Sequence, residues 1–239
     1  MINPANADNI VRHIEIKAYV DDYQSLCSRV AGLTFNSSID GISSNNVTGD
    51  SSNKSANKRA ETQFHSHLRK TSLPVDRVQD DTFFHCRSGR LKLRSSGQFH
   101  DLIYYRREND YGPSESFYQS ARTINPAALR SSLTSAFGEA GRVKKFRRTY
   151  RVGAAIVHLD RVGGLGDFIE IKVELDNHLP GTATETSLGS QSTALSASKG
   201  AQLVENIMSA LGVDLFQLVD GAYIDLINEQ ARNTSKSVT

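Results

Sequence analysis

Three cations occupy alternate positions in the segment GRLKLR: Arg90, Lys92 and Arg94, with Leu91 and Leu93 between them. A β-strand projects successive side chains to opposite faces, so this spacing puts all three charges on one side and both leucines on the other. Cations packed side by side repel one another unless an anion or facing carboxylates lie between them. The same alternation recurs at His13, Glu15 and Lys17, at Lys145 and Arg147, at His158 and Asp160, and at Glu170, Lys172 and Glu174. Each segment alone also fits a solvated sheet face, a structural His–Asp pair or a cross-strand ion pair. Five in one chain point instead to a sheet whose charged face is enclosed or deeply concave. Cations and carboxylates on neighbouring strands around a cavity are what a polyphosphate site needs. Arg and Lys neutralise phosphoryl oxygens, and carboxylates can hold Mg²⁺ or Mn²⁺ against the same oxygens.

The elements that must position these residues follow from pattern and punctuation. Strands are expected over Val11–Val20, Val75–Arg87, Arg90–Ser95, Phe99–Arg107, Ser116–Ser120, Gly141–Val152, Ala155–Val162 and Phe168–Leu175, with a last short strand at Tyr223–Ile227. A helix capped by Asp21 follows the first strand. Asn125-Pro126 starts a second, whose Leu129, Leu133 and Phe137 form a face expected to be buried. A third runs from Lys199 to Leu211 and stops at Gly212. The Ser/Asn-rich stretch 36–62 reads as a disordered insertion, 182–198 as a flexible loop and 231–239 as a polar tail. These flank or interrupt one domain spanning about 8–230.

Composition excludes several classes. The chain has 239 residues and a formal net charge of +2, so bulk attraction to nucleic acid or anionic lipid is not implied. A basic sheet binding RNA through Lys144, Lys145, Arg147, Arg148 and Arg151 is disfavoured by the interleaved carboxylates. The two cysteines, Cys27 and Cys86, suit a reducing compartment. No apolar run approaches the roughly eighteen residues of a membrane span, and no leader is evident, so a cytoplasmic location is expected. Walker A, zinc-protease and nucleophile-elbow motifs are missing from the sequence.

Taken in order, His13-Ile-Glu-Ile-Lys17, Gln79-Asp-Asp-Thr-Phe-Phe84, Gly89-Arg-Leu-Lys-Leu-Arg94, Leu102-Ile-Tyr-Tyr105 with Arg107, Lys145-Phe-Arg147, His158-Leu-Asp160, Leu165-Gly-Asp-Phe-Ile-Glu170 and Tyr223-Ile-Asp-Leu226 resemble the CYTH family of triphosphate tunnel metalloenzymes. That family includes class IV adenylyl cyclases, thiamine triphosphatases and inorganic triphosphatases. The resemblance implies an α+β fold: an eight-stranded antiparallel barrel, or tunnel, with helices packed outside. It implies a small triphosphate or polyphosphate ligand and Mg²⁺ or Mn²⁺ as cofactor. On this pattern Arg90, Lys92, Arg94, Arg107, Lys145 and Arg147 would bind phosphate. Glu15, Lys17 and Asp160 would be catalytic, and His13, Tyr105, His158 and Lys172 would support them. Glu15, Asp160, Glu170 and possibly Glu174 would hold metal. The implied reaction is metal-dependent triphosphate hydrolysis, with cyclisation of ATP and binding without turnover as alternatives. Three positions depart from the family pattern. His13 stands where the signature E-x-E-x-K has its first Glu, Ile156 where a tunnel Arg is expected, and Lys172 at the second acidic position of a later E-x-E.

Overall fold

A computed structural model describes residues 10–35, 73–107, 112–175 and 195–236. The insertion expected at 36–62 and residues 182–194 of the expected loop lie outside the described residues.

Eight strands form a closed antiparallel barrel: β1 (Val11–Tyr19), β2 (Val75–Phe84), β3 (Arg90–Ser96), β4 (Phe99–Arg107), β5 (Ser114–Arg122), β6 (Glu139–Val152), β7 (Ala155–Val162) and β8 (Gly166–Glu174). Their order around the wall is β1-β5-β4-β3-β2-β6-β7-β8, and β8 returns to β1. The expected α+β barrel with helices outside is the observed architecture. Closure gives every strand two neighbours, and alternation then has one consequence: one set of side chains points into the lumen and the other outward.

The outward set of β1, β6, β7 and β8 is aliphatic, and helices cover it. Helix α1 (Tyr23–Phe35) and helix α3 (Ala197–Leu211) enclose a core of Ile14, Ile16, Leu26, Val30, Leu159, Ile169, Ile171, Val204, Ile207 and Leu211. Helix α1 is capped one residue later than expected, by the Asp22 carboxylate accepting from the Ser25 amide at 2.9 Å. Ser196 caps α3, and Gly212, at φ 60°, ends it as expected. Gly200 lets α3 sit close to the sheet: a Cβ there would lie 2.9 Å from Leu175 Cδ2. Leu175 is bridged to Leu195, so the last residues of the expected loop are already ordered against β8.

Two expectations fail. Helix α2 (Pro126–Phe137) forms, capped by Asn125, but it has no buried residue and Phe137 is half exposed. The helix lies against β2 and β3, and its Leu129 and Leu133 are only partly buried. Tyr223–Ile227 is not a strand; it opens helix α4 (Tyr223–Lys236), which also takes in residues 231–236 of the expected tail. Four apolar residues satisfy a short strand or one helix face equally well, and a closed barrel has no edge for a ninth strand. The Asp225 carboxylate accepts from the Ala222 amide at 2.7 Å and starts the helix. Tyr223 and Ile224 are buried against Phe83, Val143, Val162 and Phe168.

Candidate functional site

The lumen is one cavity of about 440 Å³, lined by side chains from all eight strands and by Gly221, Ala222 and Tyr223. Ten Lys or Arg residues line it against four Asp or Glu residues, so its balance is cationic. Arg90, Lys92 and Arg94 share this surface as their spacing predicts, with Lys17, Arg107, Lys145, Arg147 and Lys172. Glu15, Glu170, His13, His158 and Tyr105 line it too. Two residues assigned to the site do not. Asp160 is fully buried behind the lining, and Glu174 lies exposed at the end of β8, registered opposite His13.

The carboxylates differ in how they are engaged. Asp160 accepts both Arg147 contacts at 2.6 Å, Lys145 Nζ at 3.2 Å and the Tyr223 hydroxyl at 2.8 Å. Burial disfavours its charge, but Arg147 and Lys145 overcome that and hold its carboxyl well below the usual range. Asp81 is the equivalent on the other side, accepting from Arg94 at 2.7 and 2.8 Å and from Lys92 at 3.0 Å. Its carboxyl is likewise depressed, against its burial, by Arg94 and Lys92. Glu170 accepts one Arg147 contact at 3.2 Å and lies 4.0 Å from His158 Nε2. It too titrates well below its ordinary value, because Arg147 outweighs desolvation. Glu15 faces Arg107 at 3.7 Å and is registered opposite Lys172.

The cations respond in the opposite sense. Burial, reinforced by Arg147, lowers Lys145 to about 7; burial and Arg94 lower Lys92 to about 8. Burial also lowers Lys17, whose ammonium donates to the Gly221 carbonyl at 2.9 Å. His158 is pushed well below its ordinary value by burial and by Arg147, and its Nδ1 meets Thr149 Oγ1 at 3.0 Å. The site thus holds neutral imidazole and lysines poised to take up protons when an anion enters.

One end of the cavity is covered. Lys17 bonds to Gly221, Tyr223 bonds to Asp160, and Asp225 on α4 pairs with Arg90 at 2.6 Å. The other end carries Arg77, Arg122 and Phe99, with Arg122 4.7 Å from the Phe99 ring and paired to Asp101 at 3.2 Å. Several lining atoms are buried without a hydrogen-bond partner: Gln79 Oε1, Ser96 Oγ and Arg107 Nε.

Sequence reasoning missed Asp81, Gln79, Tyr223 and the Arg77–Phe99–Arg122 rim. The signal for the β2 residues was period-two alternation of Arg77, Gln79, Asp81 and Phe83. Of the adjacent aspartates, Asp81 faces inward and Asp80 pairs outward with Arg142 at 2.6 Å, and only the register decides which.

The implied divalent metal can be tested against these donors. Among the described residues no group of three or more His, Cys, Asp or Glu is arranged to hold a metal ion. The chemistry explains why. Asp81 and Asp160 are saturated by cations, Glu15 and Glu170 each pair with an arginine, and the cross-strand neighbour of Glu15 is Lys172. These residues do not fit a resident divalent ion, which asks for several free oxygen ligands.

Comparison with known proteins agrees with the architecture. The sequence model described as the CYTH domain matches residues 53–199. A solved protein of Pyrococcus horikoshii superposes with a TM-score of 0.61 at 17% identity, covering 90% of this chain and 98% of that one. A conserved hypothetical protein of Pyrococcus furiosus gives 0.58 at 14%, covering 90% and 99%. A Vibrio parahaemolyticus protein described as a candidate adenylate cyclase gives 0.53 at 14%, covering 90% and 97%. A comparison with curated proteins returns no match. Among the described residues, no helix is long and apolar enough to cross a membrane.

Proposed function

The chain belongs to the CYTH domain family, and on that premise we propose that its barrel binds the triphosphate chain of a small molecule and hydrolyses a terminal phosphoanhydride. One observation carries this reading: a closed barrel directs ten cationic side chains into one cavity against four carboxylates. Such a cavity is costly to leave unneutralised and suits a compact polyanion. In the reaction, water oxygen bonds to the terminal phosphorus as its proton passes to the Glu15 carboxylate, while the bond to the bridging oxygen breaks and its electron pair leaves with the pyrophosphate-like product. Arg90, Lys92, Arg94, Arg107, Lys145 and Arg147 would bind the phosphoryl oxygens and stabilise the leaving charge. Lys17, with Glu15 and Glu170 nearby, would orient the reacting end.

A specific observation favours binding without turnover as a second reading. Each carboxylate lining the cavity has a cationic partner, which lowers its value as a base for water. The test is to incubate the full chain separately with tripolyphosphate, thiamine triphosphate and ATP, with Mg²⁺, Mn²⁺ or a chelator, and identify every product. Released phosphate supports hydrolysis. Cyclic AMP with pyrophosphate would identify a cyclase instead, and tight binding with no product would leave a binding module.

A further inference from the structure

We propose that Lys172 and its cationic neighbours take over the charge compensation a divalent ion would supply, so that the cavity receives triphosphate as a free anion and Mg²⁺ opposes its binding. This rests on the triphosphate reading above and adds the form in which the ligand is recognised.

The charges that decide this meet at the junction of β1 and β8. Glu15 is registered opposite Lys172, and Lys17 opposite Glu170. Two carboxylates on adjacent strands could have faced each other across a cation; here the cross-strand neighbour of each carboxylate is a lysine. Arg107 approaches Glu15 from β4 at 3.7 Å, and Arg147 approaches Glu170 from β6 at 3.2 Å. His158, kept neutral by burial and Arg147, stands 4.0 Å from Glu170 on the remaining side and adds bulk rather than charge. An incoming Mg²⁺ would need oxygen ligands from a junction already occupied by positive groups, and would meet their repulsion at short range. Lys172 itself has no ion-pair partner among the described residues; its ammonium lies 5.9 Å from the Tyr118 ring and lines the cavity. An ammonium so placed is available to phosphate oxygens. Chelation by Mg²⁺ removes two charges from the ligand and so weakens its attraction to this cationic lining.

The test is calorimetric titration of the full chain with tripolyphosphate, in EDTA and in excess Mg²⁺. Binding should be tightest in EDTA and weaken by about tenfold or more when Mg²⁺ saturates the ligand. Lys172→Glu should invert the preference, losing about tenfold or more in EDTA and regaining affinity with Mg²⁺. Lys172→Gln, which adds no carboxylate and disturbs folding less, should weaken binding in EDTA without metal rescue. Wild-type binding that appears only with Mg²⁺ would overturn the inference while leaving the triphosphate reading intact. An absence of binding in either buffer, with the circular dichroism of a folded protein, would overturn that reading as well.

Discussion

The two halves of the barrel wall are alike inside and unlike outside. Both present cations to the lumen, and each clamps a buried aspartate between them: Asp160 in the half formed by β6, β7, β8 and β1, Asp81 in the half formed by β2, β3, β4 and β5. The first half is backed by α1 and α3 through a continuous aliphatic layer. The second is backed mainly by α2, which buries none of its own residues, and it leaves Val78 69% exposed. Hydrophobic burial therefore concentrates on one side, while Arg90, Lys92 and Arg94 are held on the other largely by ion pairs to Asp81 and Asp225. An anion can substitute for such pairs. It cannot substitute for an apolar layer.

The sharpest way to break this comparison is at the two clamps. Removing Asp160 leaves Arg147 and Lys145 buried without their carboxylate, so Asp160→Ala should cost about 3–5 kcal/mol in urea denaturation. Asp81→Ala should cost less and be recovered further by tripolyphosphate, because its wall is less tightly backed. Equal losses and equal recovery would show that the two halves do not differ in this way. Next in size, Ile207→Ala in α3 should lose about 2–5 kcal/mol, whereas Leu133→Ala in α2 should lose less than about 1 kcal/mol. A loss at Leu133 matching that at Ile207 would mean α2 is packed as firmly as α3.

Ligand binding sharpens the same contrast. Arg94→Ala should weaken tripolyphosphate binding by about tenfold to a hundredfold, the range for a lost charge-assisted contact. Unchanged affinity would remove β3 from the binding surface. The smallest effect is that of pH. Lys145 and Lys92 have folded values of about 7 and about 8, below the roughly 10.4 of an unfolded lysine. Between those limits the unfolded chain binds more protons, so stability should rise as pH rises through this window. Anion binding should run the other way, taking up protons and weakening by at most about tenfold per lysine per pH unit above about 7. Titrations at pH 8 in buffers of different ionisation enthalpy would measure that uptake; zero uptake would mean both lysines stay charged without ligand.

Much of the inner surface was legible as alternation. His13, Glu15, Lys17, Arg90, Lys92, Arg94, Lys145, Arg147, His158, Glu170 and Lys172 all line the lumen, as a period of two requires once their strands are recognised. What alternation could not supply was depth. Asp160 has the right parity, yet it is sealed behind Arg147, Lys145 and Tyr223, and Glu174 has the right parity but stands beyond the cavity at a strand end. Tyr223 is invisible as a cavity residue in a segment whose pattern fits a strand, and its role depends on where α4 crosses the barrel's end.

The sequence by itself determined the eight barrel strands, the α1, α2 and α3 helices, and which side chains share a face, because these follow from local periodicity and capping. Tertiary structure decided the rest. It closed the sheet and so made a charged face into an enclosed cavity, placed α4 over one end, and selected Asp81 over Asp80 through register. It also set the protonation of Lys145, Lys92 and His158. Burial and the distances between charges on different strands are properties of the assembled barrel, and no single segment encodes them.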